Sequence, residues 1–179
     1  YAQAESGRLS NQDVSDIKVA VTGLFQKPEH AVLQVDATAK GPIEGVLDII
    51  FRHTARGDMA SIKGTHTSTG TMQLPLKDEK TFKDVVFDVQ STVENATTVL
   101  PYIDMPFQTQ NGDLHVTDKK LTFSGGGFIK GRDASLKWVE DMHAFGKNSR
   151  VSADVLFRQE DVNGISRSPS LIDWLWKTK

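Results

Sequence analysis

Histidine is the residue type in this chain with the widest chemical repertoire, because it can bind a metal or carry a proton. A zinc site on a helix needs two histidines at fixed spacing together with a carboxylate. That spacing occurs nowhere among His30, His53, His66, His115 and His143. We therefore expect exposed or loop histidines, with His115 on the polar face of a strand because it lies between Leu114 and Val116.

Serines and paired carboxylates are the next candidates for catalysis. No serine lies in the Gly-x-Ser-x-Gly turn that holds a nucleophile. Asp13 with Asp16, or Glu140 with Asp141, could form acid–base pairs, but near neighbours on a strand point in different directions. We expect these four carboxylates to be solvated edge or turn residues. The sequence thus predicts no catalytic residue, no metal site and no cofactor, and we expect the protein not to be an enzyme.

Three short motifs suggest a function but lack the context that it needs. Gly125-Gly126-Gly127 is followed by neither Gly-Lys-Ser/Thr nor the start of a helix, so a bulge or sharp bend is expected there instead of a phosphate loop. Arg56-Gly57-Asp58 matches an adhesion tripeptide, and Asn95-Ala96-Thr97 matches a glycosylation acceptor. Both are short enough to occur by chance, and we expect neither to be used.

Size and charge narrow the possible classes of protein. The chain has 179 residues, enough for one structural unit over 1–179. Its 21 basic and 23 acidic residues give a net charge of -2, which argues against a nucleic-acid partner. Cysteine is absent, so disulfides and thiolate sites are excluded.

No run approaches the roughly 18 apolar residues of a membrane-spanning helix. Tyr1-Ala2-Gln3-Ala4 fits the end of a cleaved signal peptide, or simply the start of a fragment.

Alternation of apolar and polar residues is the main structural signal. Asn111 to Met142 contains three short segments of this kind, separated by Thr117 to Lys120 and by Gly131-Arg132-Asp133. Side chains two apart on a strand share a face, so three such segments joined by short turns predict an antiparallel meander with one apolar face. The face is carried by Leu114, Val116, Leu121, Phe123, Ala134, Leu136 and Trp138.

Strands are also predicted before and after this meander. The pattern favours strands over Asp16 to Gly23, Ala31 to Ala39, Thr71 to Leu76, Asp84 to Val93 and Val151 to Phe157. It weakens over Arg56 to Gly70, and Asn95 to Tyr102 reads as a turn or short helix. Two short helices are expected, at about 42–52 and 169–177, each starting at a proline. The fold class is therefore mainly β.

The order of these pieces resembles the AsmA-like family, and more narrowly the large YhdP-type envelope proteins of Gram-negative bacteria. The resemblance rests on VDATAKGPIEGVLDII, then TGTMQLPLKDEKTFKDVVFDVQSTVENATTVLP, then NGDLHVTDKKLTFSGGGFIKGRDASLKWVEDM, and covers roughly Gly7 to Glu160. Each piece is degenerate, and the specificity lies in their succession. The chain departs from the family in lacking an N-terminal membrane anchor and in its shortness.

The resemblance implies a fold, a location and a function. Family members are anchored in the inner membrane, coil their strands into a groove or tube with an apolar interior, and are implicated in moving phospholipids to the outer membrane. It therefore implies a curved antiparallel sheet forming a half-open, taco-like groove in the periplasm, as a fragment of a longer anchored chain or as a small relative.

We expect phospholipid acyl chains to lie on the apolar face of this sheet. The candidate lining residues are Val85, Phe87, Val89, Leu114, Val116, Leu121, Phe123, Leu136 and Trp138. The same alternation also suits a closed core. In that alternative the chain is a structural or assembly module of the envelope, which binds other envelope proteins or copies of itself through its sheet edges or its C-terminal helix.

Overall fold

The structure, a computed structural model, describes residues 2–9, 11–23, 31–46, 62–76, 84–99, 106–144 and 148–156. Nine strands within these ranges form one open, uncurled antiparallel sheet. Each strand pairs with its neighbours in sequence, so β1 and β9 are the two edges. The strands are β1 Ala2–Leu9, β2 Gln12–Thr22, β3 Val32–Pro42, β4 Lys63–Pro75, β5 Val86–Val99, β6 Pro106–Thr117, β7 Lys120–Ile129, β8 Arg132–Asp141 and β9 Arg150–Val155.

The prediction of a mainly β meander is confirmed. The prediction of a helix at 42–52 is borne out where it can be followed, since residues 43–46 are helical directly after β3 ends at Pro42. The remainder of that helix lies outside the described residues, as does the whole of the helix expected at 169–177. The Arg-Gly-Asp tripeptide also lies outside them.

Strict register gives the sheet two chemically different faces. Directly opposite residues share a face, and one row of them crosses all nine strands: Gly7, Val14, Ala39, Ser68, Ser91, Leu114, Phe123, Trp138 and Val151. The side of the sheet that carries this row is the apolar face. The adjacent row on the other side, the polar face, is Arg8, Asp13, Lys40, Thr67, Thr92, Asp113, Ser124, Lys137 and Ser152.

Three bulges among the described strands adjust this register without ending a strand, and two of them contain a residue with a positive φ angle. Asp16 and Asn95 adopt positive φ angles of 53° and 49°, and the pairing shifts beside each of them, between β2 and β3 and between β4 and β5. An extra residue in the left-handed conformation bends a strand while the alternation resumes beyond it. The prediction of a turn or short helix from Asn95 is therefore wrong as far as Val99, because β5 continues through the bulge to that residue.

The fourth strand is longer than its sequence pattern indicates. The run Lys63 to Gly70 lacks apolar alternation, yet it forms the first part of β4. Four threonines of β4, at 65, 67, 69 and 71, occupy the polar face, where β-branched side chains favour a strand without contributing to a core. Strand β1 likewise carries no apolar signal, and all its residues are exposed.

The core lies on the apolar face and forms two adjoining clusters. The larger contains Ile43, Val93, Ala96, Leu114, Val116, Leu121 and Trp138, and the smaller contains Phe107, Ile129, Ala134 and Leu136. Phe123 packs against both clusters and meets Phe107 edge to face, with ring centroids 6.4 Å apart. Strands β5 to β8 therefore supply most of the buried apolar surface among the described residues.

A two-residue turn links β7 to β8. Lys130 and Gly131 have φ angles of 50° and 73°, the backbone that the tightest hairpins require at both central positions. The break predicted at Gly131-Arg132-Asp133 thus starts one residue later than the turn itself and extends two residues too far, since Arg132 and Asp133 already belong to β8.

The three glycines of β7 face a bulge on the neighbouring strand. The β6–β7 register shifts between Thr109 and Asn111, opposite Gly127 and Gly126. Thr109 is buried, and its hydroxyl lies 2.7 Å from the carbonyl oxygens of both Asn111 and Gly126. The predicted bulge is confirmed, but its extra residue belongs to β6. A Cβ on Gly127 would collide with the carbonyl oxygen of Gln108, whereas a Cβ on Gly126 would meet nothing within 4 Å.

We expect Gly127→Ala to lower the free energy of unfolding by about 1 to 3 kcal/mol, because the clash is with backbone. Gly126→Ala is the matched control, and we expect it to change that free energy by less than about 0.5 kcal/mol. Urea unfolding followed by circular dichroism measures both. Equal effects of the two substitutions would contradict the register assigned to β6 and β7.

Candidate functional site

Five of the nine candidate lining residues are buried in the core. Leu114, Val116, Leu121 and Trp138 belong to the larger cluster, and Leu136 belongs to the smaller one. None of them exceeds 8% exposure. Their side chains therefore hold the sheet's own core in this structure.

The other four candidates, Val85, Phe87, Val89 and Phe123, are half-buried. Phe87 packs against the edge of the larger cluster, and Val89 lies opposite both Gly70 and Val116. Phe87 and Val89 thus lie where the covered core gives way to a more accessible part of the same face.

That accessible part is an apolar surface on β2 to β5, which we call the open patch. It has one row formed by Val19, Val35, Met72 and Phe87, and a second formed by Val21, Leu33 and Leu74. Val21 is 39% exposed and Met72 is 40% exposed, while the other five are half-buried. Sequence reasoning placed several of these residues on one face, but it did not separate them from the buried candidates.

A chain of hydrogen bonds crosses the apolar face beside the core, and we call it the polar relay. It consists of Gln12, His66, Ser68 and Ser91, all at most 7% exposed. His66 Nε2 lies 2.8 Å from Gln12 Oε1, and His66 Nδ1 lies 2.6 Å from Ser68 Oγ. Ser68 Oγ lies 2.6 Å from Ser91 Oγ. The relay therefore joins β2, β4 and β5.

The amide of Gln12 determines which atom donates and which accepts in each hydrogen bond of the polar relay. Gln12 Nε2 donates to the carbonyl oxygen of Pro42 at 2.8 Å, which leaves Gln12 Oε1 as the acceptor for His66 Nε2–H. Neutral His66 then accepts the Ser68 hydroxyl at Nδ1, and Ser68 accepts the hydroxyl of Ser91. Every polar atom of the imidazole is satisfied without a charge.

A glycine in β3 makes room for this crossing. Gly41 lies opposite His66, and a Cβ on Gly41 would collide with Gln12 Oε1. Gln12 can therefore reach from β2 over β3 to a side chain of β4. Glycine at this position has a steric reason that the sequence pattern alone does not reveal.

The expectation of an exposed histidine is wrong for His66, which is 2% exposed. Burial penalises the imidazolium and holds the pKa of His66 below its usual value of 6.5. The available signal was the spacing His-x-Ser, which places both side chains on one face once β4 is recognised as a strand. The expectation for His115 and His143 is confirmed, since both are exposed.

The relay contains a serine hydrogen-bonded to a histidine, but its geometry does not favour nucleophilic catalysis. Ser68 is 4% exposed, so a substrate has no approach to its hydroxyl in this structure. The third member is an amide instead of the carboxylate that would stabilise an imidazolium. What the arrangement does instead is tie three strands together around a neutral ring.

The expectation of solvated carboxylates is wrong for Glu140 and holds for Asp13. Glu140 is 1% exposed on the apolar face, and it accepts hydrogen bonds from Trp138 Nε1 at 3.3 Å and from the Ser149 hydroxyl. Asp141 turns outward, where the backbone N–H of His143 and the amide of Asn148 lower the pKa of its carboxyl. The two residues thus point to different faces, as alternation predicts.

The polar face holds ordinary surface interactions. Hydrogen bonds from Thr71, at 2.7 Å, and from Gln34 lower the pKa of Asp36. His115 Nε2 lies 2.8 Å from Asp88 Oδ1 in an exposed pair. Shallow depressions on this face are lined mainly by threonine, serine, glutamine and aspartate. The described residues contain no cluster of ligands that could hold a metal ion.

Within the described ranges, no helix has the length and apolar character needed to cross a membrane. Comparison of the chain with protein-family models, curated proteins and solved structures finds no match.

Two serines of the relay provide a matched test of its direction. We expect Ser68→Ala to lower the free energy of unfolding by about 1 to 3 kcal/mol, because it leaves the buried Nδ1 of His66 without a donor. Ser91→Ala removes only the terminal donor and should cost no more than about 1 kcal/mol. Thermal and urea unfolding compare them, and a larger cost for Ser91→Ala would contradict the assigned direction.

Proposed function

We propose that this chain is a non-enzymatic, lipid-binding segment of an AsmA-like envelope protein that holds phospholipid acyl chains on its apolar face. The observation that carries the proposal is the open patch, where seven apolar side chains of β2 to β5 remain partly accessible beside a buried core. Contiguous exposed apolar surface marks a binding site more often than isolated apolar residues do. The family resemblance supplies the second line of support.

In this proposal the segment works in the periplasm, anchored to the membrane when it forms part of a longer chain. It takes part in phospholipid transport between the inner and outer membranes. The sheet is the floor of a half-open groove, and the polar face meets water. Its role is to solvate hydrocarbon, with no bond made or broken.

The binding free energy available from the open patch is small enough for a bound lipid to dissociate again. Each methylene removed from water contributes about 0.8 kcal/mol. About six methylenes on the patch would therefore supply about 5 kcal/mol, which corresponds to a dissociation constant somewhat below about 1 mM. The nine candidate residues take different roles in this account: the half-buried ones border the acyl chain, while the buried ones hold the floor rigid.

Substitutions at exposed positions test the proposal without disturbing the core. We expect the protein purified from a Gram-negative host to carry phospholipid at a reproducible ratio, measured by native mass spectrometry and organic extraction. Val21→Asp with Met72→Asp should abolish that binding, because a carboxylate in the patch would have to lose its water. Phe87→Asp is less informative, since Phe87 also packs against the core.

Val86 provides the matched control. It precedes Phe87 in β5, points to the opposite face and is 51% exposed, so Val86→Asp should leave the lipid ratio unchanged. Circular dichroism should show all variants folded. Lipid retained by the double variant, or absent from the unchanged protein, would overturn the proposal.

The alternative function, an assembly module acting through protein contacts, is favoured by one observation. Strand β1 is a sheet edge eight residues long, and every residue in it is exposed. Such an edge can accept a strand from a second copy of the chain. Gly7 lies in this strand with open space around its Cα.

If copies associate through β1, Gly7→Lys should convert the oligomer to a monomer, because a lysine on an edge strand opposes strand addition. Gly126→Lys, which places the same side chain in open space on β7, is the control and should leave the oligomer intact. Sedimentation velocity measures the mass. A protein that is monomeric without substitution would exclude this mode of assembly.

A further inference from the structure

The polar relay fastens a covering segment to the apolar face. Gln12 Nε2 donates to the carbonyl oxygen of Pro42, the last residue of β3. Directly after it, Ile43 is 2% exposed and belongs to the larger core cluster, with Val46 packed against that cluster. The amide of Gln12 also lies over Gly45, where an added Cβ would come within 2.5 Å of Gln12 Nε2. Residues 42–46 are thus held down by the same side chain that binds His66.

None of the described residues that hydrogen-bond to His66 or lie opposite it carries a charge. Its hydrogen-bond partners are Gln12 and Ser68, both neutral, and its register neighbours are Gly41 and Val93.

Charged residues of the adjoining elements are not hydrogen-bonded to the His66 ring within the described part of the chain. Asp13 and Lys40 lie opposite each other on the polar face. Glu44, on the covering segment, has a buried Oε2 without a hydrogen-bond partner among the described residues, and no hydrogen bond joins it to the ring.

We propose that the polar relay is a proton-operated latch, in which protonation of His66 releases residues 42–46 from the apolar face and enlarges the surface open to acyl chains. This inference rests on the proposed function for its consequence, the access of lipid. The opening itself depends only on the relay and the covering segment.

The physical reason is the cost of a buried cation. On protonation, Nδ1–H could still donate to Ser68 if the two serine hydroxyls reversed, so the hydrogen bonds survive. The positive charge, however, would be buried without a charged hydrogen-bond partner among the described residues. A conformation in which water reaches the imidazole is then favoured over the latched one.

The sign of the pH dependence follows from this difference. Burial lowers the pKa of latched His66 below 6.5, whereas in the released state the ring recovers its ordinary value. The latch therefore has its full strength above about pH 6.5 and weakens as the pH falls below that value. Because the ring is protonated more readily in the released state, the equilibrium constant for opening should rise between pH 7.5 and 5.5, by at most about tenfold.

Hydrogen exchange of the lipid-free protein measures the opening directly. After correction for intrinsic exchange, the amides of residues 43–46 and of the Gln12 region should lose protection between pH 7.5 and 5.5, by at most about tenfold. Amides of β7 and β8 should not change. His66→Gln should remove the pH dependence, and His115→Gln, which alters an exposed histidine on the polar face, should retain it.

A measurement on the unsubstituted protein guards against a His66→Gln variant that fails to fold. The Cε1–H resonance of His66, followed by nuclear magnetic resonance, should titrate with a midpoint below 6.5. A midpoint at or above that value, or protection of residues 43–46 that does not depend on pH, would overturn the latch.

Binding to vesicles of phosphatidylethanolamine and phosphatidylglycerol separates the latch from the function beneath it. Lipid uptake that is greater at pH 5.5 than at pH 7.5 supports both the latch and the proposed lipid-binding function. Lipid uptake with pH-independent protection overturns the latch and keeps the proposed function. Acid-dependent opening without bound lipid overturns the proposed function and keeps the latch.

Discussion

The assignment of side chains to two faces, kept the same through all nine antiparallel strands, is the constraint on which every other feature of this molecule depends. Side chains alternate with a period of two, so a slip of one residue in any pairing would exchange the two faces from that strand onward. A row of opposite residues nevertheless runs from Gly7 in β1 to Val151 in β9 while staying on one face. The bulges at Asp16 and Asn95 absorb local mismatch and return the strands to the same alternation.

The apolar face does not have the same packing along the whole sheet. Strands β5 to β8 bring large side chains opposite one another, and there the apolar face closes into a core. Strands β3 and β4 place small residues, such as Ala39 and Gly70, in the same rows. Small side chains cannot fill a core, so this side of the sheet is stabilised by the hydrogen bonds of the relay and leaves apolar surface accessible at its end.

Part of this arrangement could be predicted from the sequence. The meander from Asn111 to Met142 alternates clearly, and the structure places its predicted apolar residues on one face. Strand β4 was harder to predict because its threonines carry a strand preference but no apolar period. Alternation could place His66 and Glu140 on the apolar face, but how deeply each is buried also depends on which side chains of distant strands lie opposite. The division between core and open patch likewise depends on neighbours across the sheet as well as along the chain. Val116 and Phe87 have similar sequence contexts, but different side chains lie beside them on the adjacent strands.

The order of the strands has a consequence for how the chain folds. Substantial strand–strand contacts join only consecutive strands, so each hairpin can form from residues close in sequence. A molecule of this kind behaves as a one-dimensional array, in which stability accumulates strand by strand and structure spreads outward from a nucleus. The exception among the described hydrogen bonds is the one from His66 to Gln12, which lies 54 positions away and on the far side of β3. That single side chain makes the first half of the array cooperative, because β2 cannot detach without releasing groups on both β3 and β4.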